Sequence, residues 1–250
     1  MDLNADLGES FGAWTLGDDA ALLAQVSSAN VACGFHAGDP LVMRHTVRLA
    51  AAHGVAIGAH PGYRDLAGFG RRALDASPDE IAAETMYQVG ALDAICRAEG
   101  TRLRYVKPHG ALYNRAAADE RAAAAIATAI AAVDPTLVLL GLAGSALLDA
   151  ARAAGLRVAA EGFADRAYLP DGRLAPRTMA GALLSDPDEV AARALALATD
   201  GRVAAIDGTM LTIAVDSLCI HGDSSGAAAL AAAVRERLTT GGVGIAPFAA

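Results

Sequence analysis

Lysine is almost missing from this sequence. Of its twenty Lys and Arg residues, nineteen are arginine and one, Lys107, is lysine. Arginine is thus the general surface cation, and a lone lysine inside the apolar run LRYVKPHG serves something other than solubility. An ammonium is a compact point charge whose pKa responds to burial, unlike a guanidinium, and lysine is seldom buried without a reason. Cysteine is scarce as well. Cys33, Cys96 and Cys219 are odd in number, widely spaced and form no CxxC, which excludes a disulfide framework and fits reduced thiols. Excess positive charge is absent: the formal net charge of −8 argues against nucleic acid or an anionic membrane as partner.

Long apolar runs are lacking too. A spanning helix needs about twenty uninterrupted apolar residues, and the most apolar region, 122–148, is broken by Asp134, Pro135, Gly141 and Gly144. Met1 leads straight into DLNADLGE without a basic n-region or an apolar h-region, so a cytoplasmic location is expected. There is no G-x-x-x-x-G-K-[ST], no G-x-G-x-x-G after a first strand and no G-x-S-x-G before a helix. A P-loop, a dinucleotide fingerprint and a nucleophile elbow are thereby excluded. Nor is there a low-complexity linker or a repeat of solenoid length.

What is present is alternation. Hydrophobic residues make up 54% of the chain, much of it alanine, which favours helices packed closely on a sheet. Strands are expected near 1–6, 28–34, 55–60, 103–108, 136–142, 157–162 and 217–221. Helices are expected near 18–25, 40–53, 78–99, 118–132, 144–154, 186–199 and 225–240. This βαβα rhythm predicts an α/β fold with a mainly parallel sheet: one TIM-like β/α barrel over 1–250, of seven strands. The tail GVGIAPFAA either adds an eighth strand or closes the barrel end. Two hairpin excursions are expected near 166–178 and 203–215, around Asp171-Gly172 and Asp207-Gly208. Asp39 and Ser77, each before a proline, read as helix N-caps, and His45 and His53 as structural residues of a helix.

In such folds ligands bind at the carboxyl ends of the strands, and the polar residues collect there. Asn4, Asp6 and Glu9 end the first strand, and Cys33, His36 and Asp39 the second. His60 ends the third strand, Lys107 and His109 the fourth, Glu161 and Asp165 the sixth, and His221 and Asp223 the last. The histidine motifs FHAGD, AHPG, KPHG and IHGD fall at equivalent points, and a glycine or proline bends the chain out of the strand after most of them. Imidazoles beside carboxylates support acid–base chemistry near neutral pH. They also support a divalent metal, for which Asp6, His36 and His60 form a two-His-one-Asp set. In GFGRR, Arg71 and Arg72 offer a clamp for a carboxylate or phosphate.

In this order DLNADLGESFG, SANVACGFHAGDP, AHPGYRDLAGFGRR, VKPHGALYN, EGFADRAY and CIHGD span residues 2–223, and the chain resembles the LamB/YcsF family over essentially its whole length. Arg64 stands where that pattern leads one to expect proline, which bears on loop conformation only. The resemblance implies a seven-stranded barrel similar to the glycoside hydrolase and polysaccharide deacetylase superfamily. It implies ATP-dependent hydrolysis of the lactam 5-oxoproline to L-glutamate, by an A subunit that works with separate B and C subunits and uses ATP with Mg2+ as its counter-ion. For that reaction Asp6 and His60 would position or deprotonate water, and Lys107 would stabilise negative charge. His109 or His221 would protonate the leaving nitrogen, and Arg71 or Arg72 would hold the carboxylate. Asn4, His36, Asp39, Glu161 and Asp223 complete the expected binding set. The rival reading is a stand-alone metal-dependent amidohydrolase or carbohydrate deacetylase built on Asp6, His36 and His60.

Overall fold

A computed structural model describes residues 1–220 and 226–249. In chain order its strands are β1 (Asp2–Leu7), β2 (Ser28–Ala32), β3 (Ala56–His60), β4 (Leu103–Val106), β5 (Val138–Leu142), β6 (Arg157–Phe163), β7 (Arg202–Ala204), β8 (Met210–Thr212) and β9 (Ser217–Ile220). The helices are α1 (Asp19–Leu23), α2 (Pro40–Ala52), α3 (Pro78–Ala98), α4 (Gly110–Ala116), α5 (Glu120–Val133), α6 (Ala146–Ala153), α7 (Pro187–Asp200) and α8 (Ala227–Thr240). Seven strands close a parallel barrel in the order β1-β2-β3-β4-β5-β6-β9. The remaining two, β7 and β8, form the hairpin expected around Asp207-Gly208. Around Asp171-Gly172 the chain makes a tight turn with a single antiparallel bridge, Tyr168 to Leu174.

Local chemistry explains the boundaries. Asp39 caps α2 by accepting from the amides of Leu41 and Val42, and Ser77 with Glu80 forms a capping box on α3, which satisfies amides that a helix start leaves open. His53 ends α2, with Nδ1 2.9 Å from the Leu49 carbonyl oxygen, the structural role expected of it. One helix was not anticipated: α4 begins at Gly110, the last residue of KPHG, where a turn was expected. Its apolar positions, Leu112 and Ala116, are four apart and buried, a helical period too short to stand out in the sequence.

The barrel is sealed at its lower, amino-terminal end. Tyr105, Val138, Leu140 and Ala159 cluster there with Ala249, and the Phe248 ring meets that of Tyr105 at 4.9 Å between centroids. The tail therefore plugs the barrel and adds no eighth strand. Alternate strand residues face inward and many are polar, from the first residue of β1 onward. Asp2 accepts from the hydroxyls of Ser27, Ser28 and Ser217, while burial still pushes its carboxyl above the usual range.

Gly58 on β3 lies opposite Tyr105 in the register. A Cβ there would sit 2.2 Å from the Tyr105 ring, and the ring is fixed by the Asn30 Oδ1 that its hydroxyl donates to. Gly58→Ala is expected to destabilise the barrel by about 1–3 kcal/mol through overpacking, read as a lowered denaturant midpoint with an unchanged slope.

Candidate active site

Lys107 follows β4, and its backbone amide bonds the Ala59 carbonyl oxygen of β3, so the side chain continues the inward-facing row of the barrel. Nζ lies 2.8 Å from Glu161 Oε1, 3.1 Å from both Asp6 Oδ1 and Cys219 Sγ, and 3.2 Å from Asn4 Oδ1. These partners come from β6, β1 and β9, and all are buried. Burial opposes the charge, but the Asp6 and Glu161 carboxylates outweigh it and hold the ammonium well above the usual lysine range. Burial pushes the Cys219 thiol well up, so at neutral pH it is a neutral acceptor. Asn30 Nδ2 bridges Asp6 Oδ1 at 2.8 Å and Asn4 Oδ1 at 2.7 Å, and the Tyr113 hydroxyl donates to Glu161 Oε2 at 2.7 Å.

A histidine layer lies against this cluster. His60 Nδ1 is 2.7 Å from the Lys107 carbonyl oxygen, and His109 Nε2 is 2.8 Å from the Phe69 carbonyl oxygen. Carbonyls only accept, so each of these nitrogens carries hydrogen. That leaves His60 Nε2 and His109 Nδ1 facing each other at 3.0 Å, a hydrogen bond only when the two rings share one further proton. Asp6 Oδ1, 3.4 Å from His60 Nε2, supplies the compensating charge. Burial, and then His60, push the His109 imidazolium well below the usual histidine range. The loop after β3 makes this contact possible. Phe69 and Gly70 adopt left-handed conformations, and a Cβ on Gly70 would sit 2.8 Å from both His109 Cδ2 and His36 Cβ.

His36 is fully buried, stacks on His109 at 3.8 Å with the rings 3° from parallel, and neither ring nitrogen has a hydrogen-bond partner among the described residues. Burial, then His109 and His60, push its pKa well down. Glu9, His36, His60 and His109 each bring one donor atom within 4.8 Å of the others, a set suited by type to a divalent ion. The arrangement does not fit one: the lone pairs of stacked parallel rings run side by side, and His109 aims at His60. Asp6, expected in the metal set, is instead held by Lys107 and Asn30.

The family model for LamB/YcsF matches residues 1–250. The chain belongs to the LamB/YcsF family. It is 57% identical over 248 residues to a Mycobacterium avium protein named as the A subunit of 5-oxoprolinase, covering 99% of this chain and 98% of that one. It is 58% identical over 249 residues to a Streptomyces coelicolor protein of the same name, covering all of both. The crystal structure of a lactam utilization protein from Thermus thermophilus superposes with a TM-score of 0.94 at 52% identity, covering 99% of each chain.

In this LamB/YcsF chain Asp6, His60, Lys107 and His109 line one cavity of about 780 Å³, together with Arg71. Other expected residues sit elsewhere. Arg72 donates through Nε to Asp65 Oδ1 at 2.8 Å and locks the loop, whereas Arg71 lines the cavity. Asp39 is occupied as a helix cap and by the Gly12 amide. Asn4 and Glu161 are sealed inside the barrel as partners of Lys107, and His36 lies behind His109. None of these four is among the residues that line this cavity. His221 and Asp223 lie outside the described residues. Sequence reasoning missed Asn30, Tyr113 and Arg166. Asn30 carried a signal: it is a lone amide in the apolar strand SANVA, two residues from each end.

Acidification tests the His36 assignment. Unfolded imidazole takes a proton as pH falls through 6.5, whereas buried His36 stays neutral. The unfolded state then binds more protons, so stability falls as pH drops below 6.5. Denaturant titrations at pH 7 and pH 5 are expected to show the native chain losing about 2 kcal/mol more than His36→Gln. Equal losses would show that His36 is not held neutral.

Proposed function

We propose that this chain is the lactam-opening A subunit of an ATP-dependent 5-oxoprolinase, which converts 5-oxoproline to L-glutamate with B and C subunits as partners. The observation that carries the reading is the Lys107–Asp6–His60–His109 floor of the cavity. It occurs in a chain whose relatives, at 54–58% identity over nearly full length, are named as A subunits of 5-oxoprolinase.

A lactam resists hydrolysis because its carbonyl is a poor electrophile and its nitrogen a poor leaving group. Phosphoryl transfer from ATP, carried with Mg2+, to the lactam oxygen would release ADP and leave an electrophilic imidate carbon. One water adds at that carbon, the ring C–N bond breaks as nitrogen gains a proton to leave a γ-glutamyl phosphate, and a second water hydrolyses that acyl phosphate to glutamate and phosphate. The residues present suit both proton movements. Asp6, beside His60, is placed to receive the proton of water, and a proton taken up between His60 and His109 during the step is placed to reach nitrogen. Lys107 has four acceptors around three N–H groups, so it acts through its field and by fixing Asp6, without donating a further bond to substrate. Arg71 at the rim adds to the positive field that draws an anionic ligand into the cavity.

The test is reconstitution of the chain with its B and C partners, ATP and 5-oxoproline, following glutamate and ADP together. Lys107→Ala is expected to lower kcat by about 10²–10³-fold, and circular dichroism melting separates this from loss of fold, because Asp6 and Glu161 lose their counter-ion. Near-normal turnover in that variant would overturn the central role of Lys107. The rival metal-dependent deacetylase or amidohydrolase predicts stoichiometric metal in the purified chain and hydrolysis that needs no ATP but is abolished by a chelator. That result would overturn the lactam reading.

A further inference from the structure

Arg166 follows β6 and forms part of the wall of the cavity that Lys107 and His109 floor. It is 5% exposed. Its Nη2 donates to the Ala175 carbonyl oxygen at 2.7 Å, and Nε has no hydrogen-bond partner among the described residues. The other arginines nearby are neutralised differently: Arg173 pairs with Asp171, Arg72 with Asp65 and Arg115 with Asp119. No such carboxylate lies at ion-pair distance from Arg166 among the described residues. Its charged neighbours are first another guanidinium, Arg177, then the Asp165 carboxylate, then Arg71. Burial, then Arg177, lowers the Arg166 guanidinium to about 10, so it remains charged at neutral pH.

A buried guanidinium with no carboxylate in contact and a free Nε is costly, and Asp165 offsets the charge only from beyond ion-pair distance. An anionic ligand entering this cavity removes that cost, and a guanidinium fork is matched to a carboxylate. The neighbourhood fixes where the rest of the ligand goes. Arg166 and Lys107 line the same cavity, so one ligand can meet both the guanidinium and the ammonium cluster.

We propose that Arg166 is a carboxylate-binding residue, with Arg71 and Arg177 supplying the surrounding positive field, and that it selects small cyclic amides bearing a carboxylate beside the ring nitrogen. This rests on the 5-oxoprolinase reading. In 5-oxoproline the carboxylate and the lactam carbonyl flank the same nitrogen. Seating the carboxylate on Arg166 turns the carbonyl carbon toward the Lys107–Asp6–His109 floor and leaves the nitrogen between them. The subsite thereby sets both which lactam enters and how it faces the proton-transfer groups.

The test compares 5-oxoproline with 2-pyrrolidinone, the same ring without the carboxylate, and with inorganic phosphate. Equilibrium binding to the full chain and turnover by the reconstituted complex are measured for the native protein, Arg166→Gln, Arg166→Lys and Arg177→Gln. Arg166→Gln is expected to weaken 5-oxoproline about 30-fold or more and to collapse the preference over 2-pyrrolidinone. Arg166→Lys keeps the charge without the fork and is expected to lose about 10-fold. Arg177→Gln, half-buried on the 168–177 excursion, is expected to lose several-fold and remains informative if Arg166→Gln fails to fold. Undiminished selectivity for 5-oxoproline in the Arg166 variants, or in Arg177→Gln where those do not fold, would overturn the subsite. So would loss of phosphate binding alone, which would assign Arg166 to a phosphoryl group. If the native chain discriminates the two lactams but the complex forms no glutamate, the 5-oxoprolinase reading falls and the subsite stands.

Discussion

The constraint on which the site depends is a single buried ammonium that must be matched inside a closed barrel. Lys107 is 3% exposed, where an unpaired charge is untenable. Its neutralisation takes Asp6 from β1 and Glu161 from β6, with Asn4 and Cys219 completing the shell. None of these groups is near Lys107 in sequence, so the cluster exists only once the barrel has closed. Conversely, the closed barrel tolerates Asp6 and Glu161 in its interior only because Lys107 is there. Fold and site are therefore one electrostatic problem. Asn30 braces Asn4 and Asp6, and Tyr113 braces Glu161.

The interior is divided by height. At the bottom, Phe248 and Ala249 close an apolar layer against Tyr105 and Leu140, where close packing carries stability. At the top, the same inward-facing rows carry acid, base and cation. Tyr105 joins the two, with its ring against Phe248 and its hydroxyl on Asn30. Rigid strands hold the acid–base groups, and the loop from Tyr63 to Arg72 covers them. That loop is itself fixed by the Asp65–Arg72 pair and by the Phe69 carbonyl on His109. Groups that must exchange protons are thus positioned before any ligand arrives.

Most of the barrel was legible because its signal is periodic. Apolar strand runs separated by alanine-rich helices, with Asp39 and Ser77 as caps, specify a parallel α/β fold through local chemistry alone. The short helix α4 was not legible, since seven residues hold barely two turns and its stability comes from packing Leu112 and Tyr113 inward. The site was legible as a set and not as a set of roles. Sequence places Asp6, His36, His60, Lys107 and His109 at strand ends, but does not say that His36 stacks behind His109 or that Glu161 is sealed beneath Lys107. Nor does adjacency separate Arg71 from Arg72: one faces the cavity and the other is held by Asp65, and only the fold of the loop distinguishes them. Arg166 looked like one arginine among nineteen.

The lone lysine can now be given a physical reason. Four groups from three strands, Asn4 and Asp6 of β1, Glu161 of β6 and Cys219 of β9, surround its nitrogen, which a compact ammonium with three rotatable N–H groups can serve. A guanidinium is planar, and its donors point outward in a fixed fork. Placed at 107 it would reach past Asp6 or leave Glu161 unmatched, despite carrying the same charge. Arginine is used where the task is planar and peripheral, as on Asp65, on Asp119 and in the cavity wall. Lysine is used once, where the charge must sit at the meeting point of strands. A sequence that otherwise replaces lysine everywhere thereby marks the position at which the shape of the cation, and not its charge, decides whether the barrel interior is neutral.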